Sequence, residues 1–89
     1  MTHFVVVYDY SVTGFSSFEV LVRDTNIVGI THTLEEAKVL LSEASADEKQ
    51  YAQENNWDIL VDTDVEFKAG EPGNHENEYA HYYIKVKEV

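Results

Sequence analysis

Apolar and polar positions alternate with period two at both ends of this chain and repeat at helical spacing in its middle. His3–Tyr10, HFVVVYDY, is aromatic and β-branched and predicts a strand. Phe4, Val6, Tyr8 and Tyr10 share one face of it, and His3, Val5, Val7 and Asp9 the other. Both faces are largely apolar, which suits a central strand. Ser11–Ser17 reads as a turn around Gly14. Phe18–Arg23, FEVLVR, predicts a second strand with Phe18, Val20 and Val22 inward and Glu19, Leu21 and Arg23 outward. Asp24-Thr25-Asn26 then reads as a turn or bulge, and Ile27–Ile30 as a short extended continuation.

Thr33-Leu34-Glu35-Glu36 has the form of a capping box and predicts a helix start. Ala37, Leu40, Leu41, Ala44, Tyr51 and Ala52 follow helical spacing behind it, while Glu35, Lys38, Glu43 and Asp47 face away. Ser45-Ala46-Asp47-Glu48 is a second possible box. The pattern therefore allows one helix to about Asn55 or two with a bend near Ala46. Asn55-Asn56 is the expected stop, because Asn tolerates the left-handed conformation.

Asp58–Lys68, DILVDTDVEFK, again alternates and reads as one strand. Ile59, Val61, Val65 and Phe67 fall on one face; Asp58, Asp62, Asp64 and Glu66 fall on the other, with Leu60 as the apolar exception. Ala69–Asn77, with two glycines and the only proline, reads as a loop. Glu78–Val89 predicts the last strand, with Ala80, Tyr82, Ile84 and Val86 inward and Tyr79, His81, Tyr83, Lys85 and Lys87 outward. The last two strands are expected to pair as a hairpin that sets Lys85 and Lys87 opposite some of the acids. The order β-β-α-β-β predicts an α+β domain over residues 1–89: a four-stranded antiparallel sheet with one long helix packed on one face. The other face would carry His3, Asp9, Asp62, Asp64, Glu66, Tyr79, His81 and Tyr83 among its residues.

An apolar fraction of 44% in 89 residues suits one small folded domain. The absence of cysteine excludes disulfides and thiolate chemistry. MTHFVVVYDY lacks the basic flank and apolar length of a signal peptide or membrane span, so a cytoplasmic protein is expected. Charge changes the picture more. Seventeen acids against six bases give −11, so nucleic acid and anionic membrane are poor partners while basic proteins and cations are attracted. The charge concentrates at −4 over residues 34–57 and −5 over residues 58–76.

Catalysis has no sequence support, since no serine or threonine stands in a glycine elbow with a histidine at motif spacing. No enzyme and no resident cofactor are expected. Metal binding is an alternative through His3, His75 and His81 with nearby carboxylates, a donor set that suits a zinc-like divalent ion. Those histidines match no established ligand spacing, and Asp62-Thr63-Asp64 lacks the glycine and terminal Glu of a calcium loop. The third reading is a decoy. Alternate carboxylates on a strand lie about 6.6–6.8 Å apart, close to the spacing of phosphates along one nucleic-acid strand. Asp58, Asp62, Asp64 and Glu66, with Glu43, Asp47 and Glu48 from the helix and Tyr79 and Tyr83 from the last strand, could then meet a basic groove. A solvated acidic surface remains the plain alternative, and a small homodimer meeting through Leu21, Tyr79 and Tyr83 is another.

Size, acidity, lack of cysteine and the acidic runs LEEAKVLLSEASADEKQ and WDILVDTDVEFK together resemble, in kind and without a shared motif, the small acidic accessory proteins of phages and mobile elements. Anti-CRISPR and anti-restriction inhibitors are among them. The resemblance implies a non-enzymatic inhibitor, monomeric or dimeric in the host cytoplasm. It would block DNA or guide-RNA binding by a basic nucleic-acid-handling partner such as a CRISPR nuclease.

Overall fold

The computed structural model of the chain describes residues 1–13, 20–71 and 78–88. The elements follow in the order β1 (Thr2–Thr13), β2 (Val20–Thr31), α1 (Leu34–Glu54), β3 (Asp58–Asp62), β4 (Glu66–Gly70) and β5 (Glu78–Glu88). All strand pairs are antiparallel, in the spatial order β2-β1-β5-β4-β3. The α+β class, the antiparallel sheet and the single helix on one face agree with the sequence reading. Among the described residues the sheet has five strands rather than four. The expected turn and loop fall largely on residues 14–19 and 72–77, outside the described residues, and so do Phe18, Glu19 and His75.

The extra strand comes from the acidic stretch, which is a hairpin and not one strand. Thr63 builds its turn. The Thr63 amide donates to the Glu66 carbonyl at 2.9 Å, and the Val65 and Glu66 amides donate to Thr63 Oγ1 at 3.3 and 3.1 Å. Short polar residues such as Asp and Thr favour turns because their side chains replace backbone partners in this way. Asp62 pairs with Phe67 and Ile59 with Ala69. Between these pairs Leu60 is the extra residue of a bulge, which accounts for its break in the alternation. A second irregularity lies between β1 and β2, where Val6 faces Gly29 and Val7 faces Ile27, leaving Val28 over. Asp24, Thr25 and Asn26, read as a turn or bulge, instead pair regularly with Tyr10, Asp9 and Tyr8.

The helix runs unbroken through Ala46. Thr33 is its N-cap, accepting from the Glu36 amide at 3.2 Å, while its hydroxyl donates to Glu36 Oε1 at 2.9 Å. At the other end Asn56 takes φ 56°, the left-handed conformation. The Trp57 amide reaches back to the Ala52 carbonyl at 2.8 Å, the six-to-one bond of a Schellman cap. Ala37, Leu41 and Ala52 of α1 pack on Val6 of β1, Phe67 and Ala69 of β4 and Tyr82 of β5 to form the core, with Phe4, Tyr8, Trp57 and Ile84 at its margin. Gly29 admits the helix at close quarters: a Cβ there would stand 2.6 Å from Leu40 Cδ2.

Candidate functional site

The four acids of the hairpin do not form one column. Pairing Asp62 with Phe67 joins an even position to an odd one, so the turn swaps faces. Asp62 therefore lies on the helix side, where its Oδ1 is 3.0 Å from Lys49 Nζ. Asp64, in the turn, reaches Lys38 Nζ at 3.2 Å, and Lys38 also meets Glu35 at 3.5 Å. The bond to Asp64 and its charge, then Glu35, push the Lys38 ammonium above its ordinary pKa. Glu66 stays on the open face and accepts from His81 Nε2 at 2.6 Å. Asp58 pairs opposite Gly70. Lys85 and Lys87 do not offset these acids, because β5 sets them opposite Val5 and His3 of β1. The helix lysines do so instead, in pairs that water screens and that therefore add little to stability.

His3 and His81 do not converge either. His81 faces Asp9, six residues along β1 from His3, which at about 3.4 Å per residue separates the two by about 20 Å. His3 instead lies beside His32, ring centroids 5.2 Å apart, near Lys87. Among the described residues no group of three or more His, Asp or Glu side chains is placed to hold a metal ion. Tyr79 and Tyr83 lie half-buried on the open face, Tyr79 under the Lys68 ammonium (4.7 Å to the ring centroid) and Tyr83 against the His81 ring (4.8 Å).

Four exposed acids of the helix have no base beside them among the described residues. Glu36, Glu43, Asp47 and Glu54 are all exposed. Steps of seven, four and seven residues place them on one line of a 3.6-residue helix. Among the described residues no lysine, arginine or histidine pairs with any of them. Lys38 and Lys49 stand on the opposite flank, tied to the hairpin. Glu43 and Asp47 therefore stand out to solvent, as the sequence predicted, but Glu48 turns inward.

Glu48 belongs to a feature that the sequence reading missed. Where α1 ends, a cleft of about 470 Å³ opens between helix and sheet. Tyr8 and Tyr10 of β1 and Tyr51 and Trp57 at the helix end line it, with Asp47, Glu48 and Glu78. The Schellman cap swings Trp57 back against Tyr51, ring edge to ring face at 5.3 Å. Tyr8 Oη donates to Glu48 Oε1 at 3.2 Å and Tyr10 Oη to Glu78 Oε1 at 2.7 Å. Burial first, then the bond and charge of Glu78, raise the Tyr10 phenol to about 12. Tyr8 is raised further, by burial and then by Glu48. Tyr82 reaches about 12, through burial and then the charges of Glu48 and Asp47. The phenols stay protonated as donors, and the cleft keeps its negative potential. The only local signal for it was the Asn-Asn helix stop between Tyr51 and Trp57.

No described helix is long and apolar enough to cross a membrane. Compared with known proteins, the chain matches no family model, no curated protein and no solved structure.

Proposed function

We propose that this protein is a non-enzymatic acidic binding protein whose helix layer docks on the basic surface of a nucleic-acid-handling partner and blocks it. A CRISPR effector channel is one such surface. One observation carries the reading: Glu36, Glu43, Asp47 and Glu54 form an exposed row along α1 that no base pairs with among the described residues. At 1.5 Å per residue the row extends about 27 Å. A row of lysines and arginines that grips phosphates is complementary to it. The hairpin acids Asp62 and Asp64 contribute less, because Lys49 and Lys38 already offset them.

The test is capture of partners from a host lysate on the immobilised protein, followed by elution with duplex DNA or structured RNA. The reading expects nucleic acid to displace the partner, and Glu36→Gln/Glu43→Gln/Glu54→Gln to abolish capture. A partner that nucleic acid leaves in place contradicts it.

A second reading, self-association through the sheet, is favoured by the exposed Ile27 (65%) and Ile30 (59%) on the outer strand β2. Sedimentation over a concentration series decides it, and a single monomeric species at all concentrations excludes it.

A further inference from the structure

We propose that the cleft at the C-terminal end of α1 binds one guanidinium or ammonium group carried on an apolar stem, above all the end of an arginine side chain. Four rings and three carboxylates line the cleft, and among the described residues no base does. Aromatic faces attract cations, and Trp and Tyr do so best. The Tyr8 and Tyr10 hydroxyls are already committed to Glu48 and Glu78, so the phenols hold the carboxylates in place. An ionised carboxylate has about four acceptor sites, so acceptor capacity remains for a donor-rich ligand. The planar guanidinium stacks on rings and supplies five N–H donors, which fits walls of this composition. An anion would meet three like charges. An uncharged apolar group would strip water from the carboxylates without replacing it. The volume lies within the range of ligand clefts. Asp47 belongs both to this cleft and to the acidic row of α1, so a partner docked on the row can place a side chain here. The proposed function enters only as the source of the cation; the chemistry of the cleft stands apart from it.

Trp57 is the only tryptophan of the chain and stands in the cleft wall, so its emission reports occupancy directly. The full chain is titrated with N-acetylarginine amide, with its uncharged urea isostere N-acetylcitrulline amide, with a short arginine peptide and with spermidine. A saturable change is expected with the arginine compounds, at least about tenfold weaker with the citrulline compound, a ratio equivalent to about 1.4 kcal/mol. Glu48→Gln/Glu78→Gln, near-isosteric and so expected to fold, weakens binding about tenfold. Tyr51→Ala, at a half-exposed ring, weakens it several-fold with an unchanged circular dichroism spectrum. Tighter binding of spermidine than of the arginine peptide supports the cation site and assigns its source to free amines. An unsaturable response, equal binding of the citrulline compound, or carboxylate variants that bind as well as the parent overturns the proposal. If arginine fails while a partner is still captured, the cleft inference alone falls. If arginine binds and nothing is captured, the cleft stands and the proposed function falls.

Discussion

Replacing Glu43 and Glu54 by glutamine is expected to make the protein more stable while weakening its hold on a basic partner. Glu54 stands in the last turn of α1, where unsatisfied carbonyls give the helix a partial negative charge, and no base stands in that turn. Glu43 and Asp47 are like charges one turn apart. Removing Glu54's charge gains about 0.3–0.5 kcal/mol, the low end of the dipole range because the side chain is exposed. Removing the Glu43–Asp47 repulsion gains about 0.2–0.5 kcal/mol. The bond from Gln50 Nε2 to Glu54 Oε1, 3.0 Å, survives because a glutamine carbonyl also accepts. The sum, about 0.5–1 kcal/mol, corresponds to a rise of about 2–8 °C in Tm for a domain of this size. Thermal melts followed by circular dichroism at low ionic strength measure it. Repeating them in 1 M salt, where the screening length is about 3 Å, should erase most of the difference. A variant that melts at or below the parent would show that these charges do not strain the helix. The acids would then serve the fold, and the row would need no partner to explain it.

Three further outcomes follow from the fold. Thr33→Ala removes the side chain that accepts the Glu36 amide and is expected to cost about 1 kcal/mol, read as a lower urea midpoint. Phe67→Ala, at a side chain 1% exposed, should cost about 3–5 kcal/mol, whereas Ile59→Ala, 40% exposed on the neighbouring strand, should cost far less; equal losses would misplace the core. In alkali, the Tyr10 and Tyr82 phenols keep their protons to about 12 in the folded state against an ordinary 10.0. Their contribution is therefore complete below pH 10 and is lost as the pH rises through 12, so stability should hold to pH 10 and then fall as phenolate absorbance appears.

Features set by neighbouring residues were legible in the sequence. Thr33 and Glu36 cap the helix because they lie three residues apart, and Asn56 ends it because it adopts a left-handed φ at modest cost. The faces of β1 and β5 followed from alternation, although Val86, read as inward, is 59% exposed. The acidic hairpin was not legible, because its residues keep alternating across the Thr63 turn. Only its hydrogen bonds show that Asp62 joins the side of Phe67. The expected acidic face dispersed with it, since Lys38 and Lys49 of α1 reach the hairpin from a distant part of the chain. The cleft was invisible for the same reason. Its walls come from β1, α1, the helix end and β5, and only the fold brings Tyr8 and Tyr10 to Tyr51 and Trp57. Glu43 and Asp47, picked out as outward helix acids, are where the sequence placed them.

The affinity of the purified protein for its captured partner, measured across a salt series, decides whether the acidic row of α1 holds that partner. Binding is expected to weaken steeply as salt rises, and Glu36→Gln/Glu43→Gln/Glu54→Gln to bind weakly with most of that salt dependence gone. An affinity indifferent to salt, or a triple variant that binds like the parent, would contradict it.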